Sequence, residues 1–457
     1  MGPAVVKRND STPATPGDFE PIRLAEVELA GALEGLEPRQ APDGRPYGSA
    51  LIFARLHSEP LGLVEVQLDR TGGLDGAELA RSLRSAVAGR VRDHLAADGL
   101  DAPDELDAAG VAAGHEPPRC LRKRAEFLGD APALTVLIPS RERPERLARC
   151  LDSILASDYP EDRVELIVVD NAPQTDATRR LVESYGERCR IRYLREDATG
   201  SASARNRGIR EVETEIVAMT DDDTVVDRHW LTEVARAFAE FPQAATVSGL
   251  LLPMELDTPP QVWFEQYGGF SRGFDRRVFD LGENRPADEP LFPWTTGLFG
   301  TGNNFAFRTA AIREIGGFDP ALGNGTPALG GVDSEILLRT ILAGHTIVYE
   351  PHAVVHHAHR PDYAALRRQI HAYGAGIVAC HLKTLLANPG LSASFARKLP
   401  AGLRFALGSG SEKNAQKRSD YPRELTWLEL RGMLYGPVGY VRSRRKYGPH
   451  RSFLAPA

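Results

Sequence analysis

Three consecutive carboxylates, Asp221, Asp222 and Asp223, end a short apolar run, Ile216-Val217-Ala218-Met219. Like charges side by side repel, and burying even one of them without a partner is costly. A divalent cation relieves that repulsion, and hard carboxylate oxygens suit magnesium or manganese. The apolar run has the character of a strand buried on both faces, and α/β sheets place their ligands beyond the carboxyl ends of such strands. The triplet is therefore either an ion-binding edge of a sheet or a solvated acidic turn, and its surroundings decide between the two.

Those surroundings alternate between strands and helices. LTVLIP, from Leu134, is a buried strand ending at Pro139, followed by the polar loop Ser140-Arg141-Glu142-Arg143. A helix starts at Pro144, a residue suited to a first turn, and carries Leu147, Leu151, Ile154 and Leu155 on one face. VELIVVD is a second strand, ending in Asp170-Asn171, after which Thr175 or Asp176 caps a helix running through Val182. A third strand spans Ile191 to Leu194, and a Gly/Ser loop leads into Ala204-Arg205-Asn206-Arg207-Gly208. This alternation predicts a parallel sheet with right-handed crossovers. No GxGxxG follows the first strand and no GxxxxGK[ST] occurs, so dinucleotide and P-loop readings lose their main support.

A chain of 457 residues suggests two or three domains. Residues 1–20 are polar and Pro-rich and read as a disordered leader without a signal peptide's apolar segment. Residues 21–130 read as a small α+β domain and linker, with strands at Arg23 to Leu29, Ser49 to Leu56 and Leu61 to Leu68. Leu79, Leu83, Val87, Val91 and Leu95 then form one helical stripe. His57, beside the second of these strands, reads as a structural histidine. Cys120, Cys150, Cys189 and Cys380 are scattered without CxxC pairing, which fits reduced, mostly buried thiols better than a disulfide framework or a zinc site. No apolar run is long enough to span a bilayer, so a cytoplasmic protein is expected.

The net charge of −7 is uneven: from Pro361 onward there are 16 Lys+Arg against 5 Asp+Glu, which leaves the remainder at −18. Residues 361–457 read as a basic helical extension, either a cap over a site or a peripheral contact with the inner face of an anionic membrane. No nucleic-acid module accompanies the basic tail, so no nucleic-acid partner is expected.

Between about residues 133 and 360 the motifs VLIPSRERPERL, LIVVDNAPQTDAT, GSASARNRGI and IVAMTDDDTVVD occur in that order. GTGNNFAFRTAAIREIGGFDPALG, GGVDSEILLR and IVYEPHAVVHHAHR follow. Together they resemble the family-2 glycosyltransferases of GT-A fold, with a bacterial rhamnosyltransferase-like subgroup nearest in character. The resemblance implies an α/β, Rossmann-like, mostly parallel GT-A domain over residues 131–360. It further implies an inverting, Mn2+- or Mg2+-dependent transfer from a nucleoside-diphosphate sugar to an acceptor hydroxyl of a glycan, lipid-linked sugar or small molecule.

By the same resemblance, Asp223 ligates the metal directly, and Asp221 and Asp222 hold the ribose or the metal's waters. His357 completes the metal shell, with His356 and His359 as neighbouring competitors. Asp170 matches the acid for the nucleobase or ribose, Arg205 suits base or diphosphate, and Pro139 and Ser140 line the nucleoside. Asp333 is the expected general base. Val332 stands where relatives carry an acid, which leaves Glu335 as a rival and a helix cap as the bland alternative for Asp333. Gly330-Gly331 is expected to leave room for the acceptor. Trp294 either stacks on a sugar or lies in the core, and Asn303 and Asn304 bind sugar hydroxyls or make turns. The Val332 substitution also leaves open a catalytically inactive nucleotide-sugar-binding or scaffold protein with the same fold.

Overall fold

The computed structural model describes residues 19–103, 105–112, 116–408 and 410–448, so the expected leader lies almost wholly outside the described residues. The first unit contains β1 (Ile22–Glu28), β2 (Gly35–Leu36), β3 (Ser49–Leu56), β4 (Glu59–Gln67), β5 (Leu74–Asp75) and α1 (Gly76–Asp98). β1 pairs parallel with β3, and β3 pairs antiparallel with β4. The β3–β4 connection is His57-Ser58, both with positive φ (54° and 67°), a two-residue turn that matches the twist of a hairpin. Asp75 caps α1 by accepting from Glu78 N at 2.9 Å, and the Leu79/Leu83/Val87/Val91/Leu95 stripe is buried in this unit's own core.

Helix α2 (Arg119–Leu128) leads out of this unit and is fastened to the next by a buried ion pair, Arg124 Nε to Glu233 Oε1 at 2.9 Å. β6 (Leu134–Ser140), α3 (Pro144–Leu155), β7 (Val164–Asn171), α4 (Ala177–Tyr185), β8 (Ile191–Glu196), α5 (Ser201–Glu211) and β9 (Ile216–Met219) follow. The strands form the parallel array β8-β7-β6-β9 foreseen from the alternation. The Gly/Ser segment is not a loop into a helix: Ser201 to Ser203 is the helix's own first turn. Ala202 and Ala204, good helix formers, are buried there, and that packing outweighs the weaker helix preference of Ser201 and Ser203.

The second half contains β10 (Thr224–Val226), α6 (Trp230–Glu240), β11 (Ala244–Pro253), α7 (Pro259–Tyr267), β12 (Arg277–Phe279), β13 (Phe305–Arg308), α8 (Thr309–Glu314), α9 (Val332–Leu342) and β14 (Thr346–His357). β13 runs antiparallel to both β9 and β11, while β11 and β14 are parallel, so the sheet is mixed rather than wholly parallel. Strand–helix alternation stops after β9, and with it the rule that predicted parallel pairing. Two apolar clusters fill the faces of the sheet, one beneath α3 and α6, the other beneath α5 and α9.

The chain ends in α10 (Tyr363–Ala387), α11 (Ser392–Leu407), α12 (Glu412–Ala415) and α13 (Arg423–Tyr447). α10 and α13 pack backbone to backbone: a Cβ at Gly432 would lie 2.1 Å from His371 O, and one at Gly374 the same distance from Glu429 O. α10 also closes on the start of α9. A Cβ at Gly331 would lie 2.3 Å from Gly376 O, so Gly330-Gly331 admits a helix rather than leaving an open space.

Candidate active site

Register brings the expected residues to one edge of the sheet. Ser140 lies opposite Asp170 across β6 and β7, and Leu137 lies opposite Met219 across β6 and β9. Pro139, Ser140, Asp170 and the Asp221–Asp223 triplet therefore share the carboxyl edge of the parallel array, where such sheets bind ligands. On the other side, β10 pairs antiparallel with β14 so that Thr224 faces His357, and Ala358 N donates to Asp223 O at 3.0 Å. That pairing seats a histidine from the far half beside Asp223.

The triplet divides its carboxylates among different partners. Asp221 accepts from Arg205 Nη2 at 2.8 Å, while Asp222 accepts from Ser140 Oγ at 2.8 Å and from Arg143 Nη1 at 3.2 Å. Asp223 Oδ2 has three guanidinium groups within reach: Arg143 at 3.4 Å, Arg146 at 3.7 Å and Arg360 at 3.6 Å. Asp221 keeps 28% of its side chain accessible but sits deep in the cleft. Burial first, then repulsion from Asp223, Asp333 and Asp222 against the pull of Arg205, pushes its carboxyl up to about 7. Burial also raises Asp222, with Asp223 adding to it. These are the signs of concentrated negative charge that a cation would relieve.

His357 Nε2 faces Asp223 Oδ1 at 3.6 Å, and its Nδ1 meets His359 Nδ1 at 3.1 Å. His359 Nε2 in turn lies 2.7 Å from Glu265 Oε1. With His359 Nε2–H donating to Glu265, His359 Nδ1 can accept from His357 Nδ1–H, which turns the His357 Nε2 lone pair toward Asp223. Burial pushes His357 down to about 3, so the ring is neutral over the working pH range. A lone pair facing an anion repels it unless a cation lies between. The donor set thus fits a hard divalent ion held by few protein ligands, with the second imidazole and Glu265 orienting the first.

Asp170 is fully buried at the end of β7; Oδ2 accepts from Tyr193 OH at 3.0 Å, whereas Oδ1 has no partner. An orphaned buried acceptor at this edge is suited to a ring N–H. Glu142, at a positive φ of 52°, clasps the loop after β7 by accepting from Gln174 N at 2.8 Å and Thr175 N at 3.0 Å.

The two acids of α9 have opposite surroundings. Asp333 is the second residue of the helix, where negative charge is favoured; Gly331 is the cap, so Asp333 is not an N-cap. Its Oδ1 accepts from Arg205 Nη1 at 2.9 Å, and its side chain is 36% accessible. A Cβ at Gly302 would lie 2.1 Å from Asp333 Cγ, so the Gly300–Asn304 loop passes against the carboxylate itself. Glu335 is buried, ion-paired with Arg339 at 2.8 Å and with Lys383 of α10. Although burial opposes it, those two cations hold Glu335 down at about 2. Val332, at the position of the missing acid, lies in the apolar core.

Arg205 joins the halves. Besides Asp221 and Asp333 it donates to Gly302 O at 3.2 Å, with its guanidinium 5.5 Å from the ring centres of both Phe305 and Phe318. Buried to 2% exposure, it bridges the two carboxylates, while its Nε has no hydrogen-bond partner. Trp294 is core, edge-on to Phe395 at 4.8 Å. Asn304 is also structural, accepting from Trp230 Nε1 and donating to Leu250 O and Ala353 O, and Asn303 O accepts from Thr220. The arginines at Asp223 went unread in the sequence, although RERPER placed Arg143 and Arg146 within one turn of each other after the first strand.

Comparison with known proteins accords with this geometry. Residues 135–315 match the model of Glycosyl transferase family 2. Over 231 residues, half of this chain and 43% of the relative, the sequence is 29% identical to the pre-mycofactocin glycosyltransferase of Mycobacterium tuberculosis. The chain thus spans less than half the length of that relative. It is 23% identical over 228 residues to the glucosyl-dolichyl phosphate glucuronosyltransferase of Haloferax volcanii, covering 49% of this chain and 68% of the relative. A mannosyltransferase from Pyrobaculum calidifontis, solved with GDP-Man and Mn2+, aligns at 21% identity over 68% of this chain and 87% of its own, with a TM-score of 0.43. Residues 135–315 are thus similar to a family 2 glycosyltransferase domain, and they lie within the mixed α/β sheet described above.

Proposed function

We propose that this cleft transfers a sugar, with inversion, from a nucleoside-diphosphate sugar to an acceptor hydroxyl. The observation that carries the proposal is Arg205, which ties the acid at the donor edge, Asp221, to the accessible acid of the second half, Asp333. One rigid guanidinium thereby fixes the spacing between nucleotide-side and acceptor-side groups, and such positioning accounts for much of enzymatic rate enhancement.

Asp223 and His357 would hold Mn2+ or Mg2+, which when bound offsets charge on the departing diphosphate. Asp170 Oδ1 accepts from the nucleobase or ribose, and Pro139 and Ser140 line the nucleoside. Asp222, held by Ser140 and Arg143, remains beside the ribose and diphosphate. Arg143, Arg146 and Arg360 supply further positive charge where the diphosphate lies. Asp333 takes the acceptor's proton as its oxygen bonds to the anomeric carbon. The sugar–phosphate bond breaks, and its electron pair leaves with the diphosphate. Glu335, locked between Arg339 and Lys383, has no part in that proton transfer.

The acceptor is most consistent with a lipid-linked or natural-product hydroxyl, since relatives are named for dolichyl phosphate and mycofactocin substrates. A rhamnosyl or related hexosyl donor belongs to the same proposal. Among the described residues no helix is long and apolar enough to cross a membrane. Leu399, Leu403 and Leu407 of α11, and Trp427, Leu434, Val438 and Val441 of α13, are nevertheless exposed beside arginines. That combination suits peripheral contact with an anionic leaflet on the cytoplasmic side.

The test is donor binding and turnover by the full chain with manganese, using UDP-, GDP- and dTDP-sugars against lipid-phosphate and small-molecule acceptors. Slow donor hydrolysis without acceptor, and transfer with one, is the expected result. Binding without either would make the protein the inactive nucleotide-sugar binder that the Val332 substitution suggests.

A further inference from the structure

The histidine of the β3–β4 turn has company that its sequence neighbourhood does not reveal. His57, His94 and Asp98 of α1, and Cys120 of α2 bring their donor atoms within 4.8 Å of one another. His57 Nδ1 lies 2.9 Å from His94 Nε2 and 3.4 Å from Asp98 Oδ2. His94 Nε2 lies 3.6 Å from Asp98 Oδ2 and 3.9 Å from Cys120 Sγ. A tetrahedral zinc ion with ordinary Zn–N, Zn–O and Zn–S bonds sets its ligands roughly 3.3–3.8 Å apart.

The surrounding contacts orient these atoms inward. Asp98 Oδ1 is taken by the backbone N–H of Cys120 at 2.8 Å, whereas Asp98 Oδ2 is buried with no hydrogen-bond partner, its side chain 5% exposed. His94 Nδ1 lies 3.1 Å from Glu59 Oε2, so a ring donating to Glu59 turns its Nε2 lone pair to the cluster. This carboxylate–histidine arrangement is the usual outer support of a metal ligand. The His57 turn is itself held, with the N–H groups of His57 and Ser58 both donating to Glu28, at 2.9 and 2.8 Å. Without a metal, the His57–His94 contact takes one hydrogen bond, and Asp98 Oδ2 is left with only the longer approaches of the His57 and His94 rings at 3.4 and 3.6 Å.

We propose that His57, His94, Asp98 and Cys120 bind one zinc ion in a closed structural site. A thiolate and a carboxylate balance the ion's charge, and two imidazoles complete four protein ligands, leaving no position for substrate. The ligands come from the β3–β4 turn, the end of α1 and the start of α2. The ion therefore fastens to the first unit the helix whose Arg124 pairs with Glu233 in the second. The absence of CxxC pairing does not weigh against it, because only one ligand is a cysteine.

The full chain, with any affinity tag removed, is expected to purify with about one zinc per molecule, retained through gel filtration. Cobalt exchanged into it should give the visible bands of a tetrahedral centre and a thiolate charge-transfer band from Cys120; Cys150, the thiol beside the carboxylate cleft, is fully buried against Thr224. Cys120→Ser should remove the charge-transfer band, and His94→Gln should lower zinc content several-fold. If those variants fail to fold, the wild type alone decides: a strong chelator should lower its melting temperature, and added zinc should restore it. Wild-type protein equilibrated with zinc that holds none, or whose bound zinc is unchanged in both variants, would overturn the assignment.

Discussion

The protein carries two clusters of residues proposed here as metal ligands, built on opposite plans. At the cleft, Asp223 and His357 approach each other at 3.6 Å while arginines and a second histidine crowd the outside, and much of the surroundings is left to substrate. In the first unit, donor atoms of two histidines, an aspartate and a cysteine converge within 4.8 Å of one another. An ion that must meet a diphosphate needs few protein ligands and hard oxygens. An ion that only fastens helices is held best by a full set of softer ones. The difference between the sites is thus a difference between exchanging and enclosing a ligand.

Variants can break that contrast at its strongest point first. Asp333→Asn keeps the size of the side chain and an acceptor for Arg205 but cannot take a proton. Its kcat should fall about 10²–10⁴-fold, with donor affinity measured by calorimetry unchanged. Loss of donor binding instead would make Asp333 part of the donor pocket.

Glu335→Gln should act on the fold. It leaves Lys383 and Arg339 short of a buried counter-charge, a change that typically costs about 3–5 kcal/mol, read as a lowered urea midpoint. The folded molecules that remain should keep their turnover. Because Glu335 is held near 2 in the fold against about 4.5 unfolded, its contribution is complete above pH 4.5. It is lost as pH falls toward 2, so acid unfolding of the wild type should be steeper over that range than that of Glu335→Gln.

Glu265→Gln tests the outer support of the cleft. Removing the carboxylate behind His359 and His357 should weaken manganese affinity about 10–100-fold, measured by the metal dependence of turnover, without changing zinc content. Unchanged manganese dependence would detach His357 from the metal.

The cleft was readable in advance because its acids end contiguous strands. Asp170 and Asp221–Asp223 each follow an apolar run, and the alternation of elements fixed the edge on which they meet. What lay beyond reach depended on contacts distant in sequence. The sequence did not show that Arg205 also reaches Asp333, 128 residues away. Gly330-Gly331 looked like space until Gly376 of α10 filled it. Asp333 and Glu335 could not be ranked without Lys383, whose helix showed no sequence sign of where it packs. The closed cluster was less legible still. His94 and Asp98 share a helical face by their i, i+4 spacing, but His57 and Cys120 join them only through the hairpin and the start of the next helix.

The most direct test of the central claim is donor turnover with and without manganese in wild type and Asp223→Asn, after removal of divalent ions by EDTA. The account predicts that wild type loses turnover on EDTA treatment and regains it with manganese. Asp223→Asn should remain slower by about 10²-fold or more at any manganese concentration, the scale of losing a strong electrostatic contact to the transition state. Full turnover by the EDTA-treated wild type, or equal turnover by Asp223→Asn, would contradict a metal-dependent transferase organised on Asp223.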